Sequence, residues 1–442
     1  MSLDRRALIA SFAAAAGAAA CRFAPAAETA PSPLLDAAGV VDWAAVRGLF
    51  DLDPDLIHMS SFFLVSHPRP VREAIERWRR RLDANPLAIE EIFIDPGDDW
   101  RRWQAALGRY LGAEPSNLAW VPNTTSGLAL VYNGLGLRPG DEILTTEHDH
   151  YSHHQAIAFA AAKQGVTVRR VALHDGAAHA SRDEMVDRLR RAISPATRAV
   201  GLTWVHSSTG LKLPIADLAA VVAAANAGRA DKDRCLLIVD GVHGLGVEDI
   251  DAASLGADFF VAGTHKWMLG PRGTGLILGK PDAWPRLQPT IPSFLDPECW
   301  NAYFRGQPLP PTRASFVSPG GFVPFEHILA TEAALELQAQ LGRSRVAARI
   351  RDLNGRLRNG LATMRGITLQ TPIDPALAAG IVCFEVEGLR PAEAVARLRA
   401  RRIVASESPY AVSYARVSAG IMVQDDEVER TLREIRALLP AA

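Results

Sequence analysis

Along most of this chain, short runs of apolar, β-branched and aromatic residues alternate with longer stretches in which apolar positions recur every three or four residues. Runs at 118–121, 142–145, 166–173, 199–204, 236–240, 259–262 and 275–278 predict seven strands, and segments 128–135, 153–163, 183–193 and 215–225 predict amphipathic helices between them. Strand and helix in alternation is the mark of an α/β fold with a largely parallel sheet. From 281 to 324 the sequence is rich in proline and aromatic residues and has no period, which predicts an irregular stretch. Two long helices are predicted next, at 326–341 and 346–364. The tail then reads as strand (380–386), helix (391–402), strand (411–417) and helix (427–439), a small α+β unit. The expected organisation is a large domain over 41–325, with its N-terminal segment, followed by connecting helices and a small C-terminal domain over 326–442.

The first 40 residues stand apart. Arg5-Arg6 precede Leu8-Ile9 and an alanine-rich run to Ala20, and a proline-rich stretch follows, so 1–40 reads as a secretory signal and linker. The paired arginines resemble a twin-arginine signal, which implies recognition by that export machinery and delivery of the folded protein to the periplasm. The run is too short to span a bilayer. Cys21, after three alanines, loosely resembles a lipoprotein cleavage site, a secondary expectation.

Composition narrows the choices. With 48 Lys+Arg against 49 Asp+Glu the net charge is -1, and no nucleic-acid partner is expected. Four cysteines without a CxxC pair make neither a disulfide scaffold nor a structural zinc site. Only five cations are lysine, at 163, 212, 232, 266 and 280, so each invites a question.

Lys266 follows a predicted strand and precedes a glycine-rich turn. Open α/β sheets bind ligands at the carboxyl ends of their strands, and a partly desolvated lysine there has a lowered pKa and a free amine suited to a Schiff base. Taken alone, a solvated loop lysine is the plainer reading. Asp240, closing another strand and followed by His243, could hold a basic pyridine nitrogen protonated, or could simply form a turn. Thr124 and Thr125 open a helix whose free N–H groups would bind phosphate, although such residues are also ordinary caps. The segment 146–154 holds four histidines. A His-x-His metal site with Asp149 is one reading, and a ring stacking on a flat cofactor is the favoured one.

Taken in order, the Thr-Thr helix start, Glu147-His148 after the next strand, Asp240-x-x-His243 and His265-Lys266 resemble the class V aminotransferase family of pyridoxal phosphate (PLP) enzymes, fold type I. The resemblance extends from about 45 to 440 and takes in Ile57-His-Met-Ser-Ser-Phe62, Val205-His-Ser207-Ser-Thr-Gly-Leu and Tyr414-Ala-Arg416. It implies that Lys266 is the Schiff-base lysine, that Asp240 pairs with the pyridinium nitrogen, and that His243 and Ser207 lie by the phenolic oxygen. It further implies ring stacking by His148, with His150 as the other candidate, phosphate contacts from Thr124, Thr125 and His265, and substrate carboxylate binding by Arg416. A homodimer and a small amino-acid or peptide substrate are implied as well, with no metal.

Where desulfurases of the family carry a nucleophilic cysteine, this chain reads Ser406-Glu-Ser-Pro-Tyr-Ala-Val-Ser413, which argues against cysteine desulfurase. Ser318-Pro-Gly-Gly321 replaces the Gly-Thr pair with which many relatives reach the neighbouring subunit's phosphate. The motifs look most like the isopenicillin N epimerase-like branch, and with the leader they imply periplasmic tailoring of a siderophore or peptide. Aminotransferase and epimerase chemistry both remain open, with Tyr151 or His150 as candidate second bases. Two rivals are a catalytically silent exported protein that binds PLP or a peptide, and a metal hydrolase built on the histidine cluster.

Overall fold

The computed structural model describes residues 34–90 and 98–440. The twin-arginine pair and Cys21 lie outside the described residues. All seven expected strands form one sheet. After a two-residue strand β1 (Ile57–His58) and helices α1 (Arg69–Ala84) and α2 (Asp98–Leu111) come β2 (Leu118–Val121), α3 (Thr124–Gly134), β3 (Glu142–Thr146), α4 (Tyr151–Gln164) and β4 (Thr167–Val171). Then follow α5 (Arg182–Ala192), β5 (Thr197–Thr203), α6 (Ile215–Ala225), β6 (Leu236–Asp240), β7 (Phe259–Gly263) and β8 (Gly275–Gly279). The strand order is β2-β8-β7-β6-β5-β3-β4. Only β8 runs against its neighbours.

The strands were legible because both faces of the sheet are buried, which demands near-continuous apolar runs. Alternate residues serve opposite layers. Phe259, Val261 and Ile277 pack on one side, against α3 and α4 residues such as Leu128 and Ile157, while Phe260, Ala262 and Leu276 join the larger core on the other. The exception is β4, whose Arg169 and Arg170 suit an edge strand.

Two helices join the domains, α7 (Phe325–Leu341) and α8 (Arg343–Ala362). Helix α7 packs along α1 and α2, and Ala74, Ala330, Ala333 and Ala334 allow the close approach to α1. In the stretch expected to be irregular, a helix forms at Pro297–Arg305 and a shorter one at Ala314–Val317. Asp296 organises it, accepting from Glu298 N at 2.9 Å and from Arg313 Nε and Nη2 at 2.7 and 2.6 Å.

The small domain is an antiparallel sheet, order β12-β13-β10-β9, built from β9 (Ile367–Leu369), β10 (Val382–Val386), β12 (Ser406–Glu407) and β13 (Ala415–Val417), with helices Pro391–Ala400 and Asp425–Arg436. One pairing has no sequence signature. Ile57 and His58 of β1 lie parallel to Ile403 and Val404, which form β11, and Ser60 bridges Ser418. Residues grouped in sequence with the large domain are therefore hydrogen-bonded into the small one.

Candidate active site

Strands β2, β3, β5, β6 and β7 point the same way, so their carboxyl ends share one edge, and the loops leaving them bring together most of the expected residues. A cavity of about 170 Å3 there is lined by Thr124 and Thr125 after β2, His150 and Ser152 after β3, Thr203 and Ser207 of β5 and its loop, Asp240 and His243 after β6, and His265 and Lys266 after β7.

At the β2 end, Asn123 caps α3 by accepting from Ser126 N at 2.9 Å, and Thr124 Oγ1 accepts from Gly263 N at 2.8 Å. The first N–H groups of an eleven-residue helix thus face the cavity, an arrangement that binds anions. A Cβ on Gly263 would sit 2.7 Å from the His265 ring and 3.3 Å from Thr124 Oγ1, so the glycine keeps this cradle open. His265 Nδ1 is buried without a partner.

At the other end, Asp240 is nearly inaccessible, and its Oδ1 accepts from Val242 N at 3.1 Å. Burial pushes its carboxyl up to about 6. Lys266 Nζ lies 3.2 Å from His243 Nε2, and burial lowers the amine from 10.5 to about 8. Burial and the neighbouring Lys266 charge hold His243 well below the usual imidazole range, and its Nδ1 has no partner. A buried acid and a buried amine, each unsettled by lost solvent, thus share one flat cavity with an anion cradle. That donor set fits a phosphorylated pyridine aldehyde.

The histidine segment divides. Asp149 accepts from Thr145 Oγ1, Thr146 N and Thr203 N at 2.7, 2.8 and 2.7 Å, locking the end of β3 to β5. His150 caps α4, accepting from Ser152 N, and lines the cavity. His148 does not line it. Its ring stacks instead on buried His174 with centroids 4.2 Å apart and leans on His206. His153 is buried against Tyr132 at 2.7 Å. Among the described residues no three His, Cys, Asp or Glu side chains converge as metal ligands would. Tyr151 is 68% exposed and lines no part of the cavity.

Arg416 stands behind Ser207 rather than on the cavity wall. It donates to Ser406 Oγ, Ser207 O and Glu407 O at 3.2, 2.8 and 2.9 Å, with its guanidinium 4.4 Å above the Phe62 ring. All three acceptors are neutral, so a buried cation has no carboxylate partner, and its charge favours a bound anion. Two neighbours were not foreseen. Phe62 arrives through the β1 pairing, and Tyr410, from the segment where desulfurases hold their cysteine, places its hydroxyl 2.7 Å from Ser207 Oγ. A lone aromatic residue in the short segment 406–413 was the only signal for the latter.

The family described as aminotransferase class-V matches residues 98–430. The isopenicillin N epimerase of Streptomyces clavuligerus is 29% identical over 90% of this chain and 99% of its own length, and that of Amycolatopsis lactamdurans is 30% identical over 78% and 84%. Curated probable cysteine desulfurases match over about half of the chain. A solved structure of a C-DES variant with glycine covalently linked to its PLP cofactor superposes with a TM-score of 0.75 at 22% identity, covering 89% of this chain and 99% of that one.

Proposed function

The chain belongs to the class V aminotransferase family, whose cofactor is PLP, and from that membership we propose that it epimerises the α-carbon of an amino acid, free or within a peptide. The observation that carries the reading is the buried Lys266 amine, lowered to about 8, in a cavity that ends in the Asp240 carboxylate and the α3 N-terminus. Bound there, PLP supplies an electron sink that acidifies the Cα–H of an amine joined to it.

The chain's own residues do the rest. Thr124, Thr125 and His265 hold phosphate, while Asp240 keeps the ring nitrogen protonated by its charge. His150, the second candidate, covers the ring face in place of His148, the residue first expected there. Ser207 and His243 border the phenolic side. Arg416 takes the substrate carboxylate in a two-pronged grip. Lys266 binds the cofactor, and once displaced moves the Cα proton. Epimerisation is favoured over transamination by the likeness to isopenicillin N epimerases along nearly the whole chain. Desulfuration lacks its nucleophile, because segment 406–413 contains no cysteine, burial pushes the Cys235 and Cys383 thiols up to about 12, and Cys299, also raised by burial, does not line the cavity.

The Arg5-Arg6 leader supports export to the periplasm, and with it a role in tailoring a siderophore or peptide. Exposed Phe294, Trp300, Tyr303, Phe304 and Phe322, of which Phe294 and Phe322 line an apolar groove of about 310 Å3, support a homodimer.

Holoenzyme incubated with L-amino acids and peptides in D2O is expected to yield product inverted and deuterated at Cα. Conversion to the pyridoxamine form without inverted product would establish an aminotransferase instead. A protein that stays colourless with PLP supplied would be the silent binding protein, a reading that intact Lys266, Asp240 and Arg416 oppose.

A further inference from the structure

We propose that Tyr410 is the acid that delivers a proton to the substrate's Cα on the side not served by Lys266, so that the two residues together invert that carbon. The inference deepens the epimerase reading and rests on it.

Tyr410 lies in the loop between β12 and β13. Its hydroxyl is 2.7 Å from Ser207 Oγ, and its ring meets His150 edge-on with centroids 6.1 Å apart. The carbonyl of the same Ser207 accepts from Arg416 Nη1 at 2.8 Å. One residue thus holds the carboxylate binder and the phenol together. In an α-amino acid the carboxylate carbon is bonded directly to Cα, so seating the carboxylate on Arg416 brings Cα to the neighbourhood of the Tyr410 hydroxyl. Lys266 enters from a different element, the end of β7, and is backed by His243.

The other candidates fall short. Tyr151 is exposed. Burial lowers His150 to about 4, so at neutral pH it is not the imidazolium that a general acid requires, and its Nδ1 already accepts from Ser152 N. His243 is lowered further and belongs to the Lys266 side. Tyr410 is pushed up to about 12 by burial and keeps its proton, as an acid must.

The step balances without any redox partner. The Cα–H bond breaks and its proton passes to the Lys266 amine. The electron pair left on carbon takes the Tyr410 O–H proton to form the new bond. The phenolate oxygen regains a proton by way of Ser207 from solvent, and the Lys266 ammonium releases one to solvent.

The test is Tyr410→Phe in the holoenzyme, using both enantiomers of the free amino acid that the wild type inverts fastest. Racemisation is expected to fall by ~10²-fold or more. One enantiomer should still exchange its Cα hydrogen with D2O, with retention of configuration, while the other does not. The yellow band and the spectroscopic dissociation constant for 2-methylalanine, which has no Cα hydrogen, should stay within about twofold, as befits an oxygen that moves a proton rather than one that holds the site together. Racemisation at the wild-type rate, or continued exchange of both enantiomers, would overturn the proposal. So would loss of the yellow band or of analogue binding, which would make Tyr410 a structural residue. A wild type that transaminates and inverts nothing would overturn both this inference and the epimerase reading, and that failure shows before any variant is made.

Discussion

The Lys266 amine and the His243 imidazole meet at 3.2 Å, and the imidazole is neutral across the physiological range. Burial outweighs the pull of the Asp240 carboxylate and, with the Arg416 charge, brings Lys266 from 10.5 to about 8. Below that pH the amine is protonated and unreactive; above it the free amine predominates. The rate at which apoprotein captures PLP, followed by absorbance, is therefore expected to climb through about pH 8 and level off above it. A rate still climbing near pH 10 would mean an ordinary solvated lysine.

Gly241, directly after Asp240, leaves no room for a side chain, since a Cβ there would fall 2.0 Å from Cζ of Phe260. Overpacking of this kind typically costs about 1–3 kcal/mol. Gly241→Ala is expected to lower Tm by several degrees and, by displacing the neighbouring carboxylate, to weaken PLP binding in equilibrium dialysis. Full cofactor affinity at a lowered Tm would show that Asp240 does not depend on this packing.

Arg416→Lys keeps the charge and loses the fork. A lysine ammonium cannot match the three-point bonding to Ser406, Ser207 and Glu407 while presenting a pair of donors to a carboxylate. A loss on the order of 2–3 kcal/mol, ~10²-fold, is expected in kcat/KM for an amino acid. The same variant should lose little with an amine substrate lacking the carboxylate. Equal losses for both would remove Arg416 from substrate recognition.

His153 and His206 are inaccessible, and burial lowers their pKa values to about 4 and 3. Below pH 6.5 the unfolded chain binds protons that the folded chain refuses. The stability present above 6.5 is therefore lost as pH falls toward those values, at up to about 1.4 kcal/mol per pH unit for each group. Asp240, raised to about 6, offsets one such group. Urea midpoints of the apoprotein are expected to drop steadily from pH 7 to pH 5, and a flat profile would contradict the neutral burial of these rings.

The sheet could be read from residues such as Phe259–Gly263 because burial on both faces leaves a local record in the sequence. Helix α1 could not, since its apolar face is narrow among the six arginines and two glutamates of the Arg69–Ala84 segment, and its partner is the remote α7. Lys266 and Asp240 were legible through their strand-end positions. The choice between His148 and His150 was not, because the His148 ring is taken up by His174 and His206, which come from other parts of the chain. Phe62 and Tyr410 owe their places to contacts with Arg416 and Ser207, and no local pattern encodes contacts so distant along the chain.

The meeting of Phe62 with Arg416 also bears on biosynthesis. The aromatic floor under the guanidinium leaves the ribosome early and the arginine very late, and they are joined only when β1 docks beside β11. No nascent polypeptide that stops short of Arg416 can display a finished carboxylate grip, so substrate recognition is itself a record that synthesis passed the last strand of the small domain.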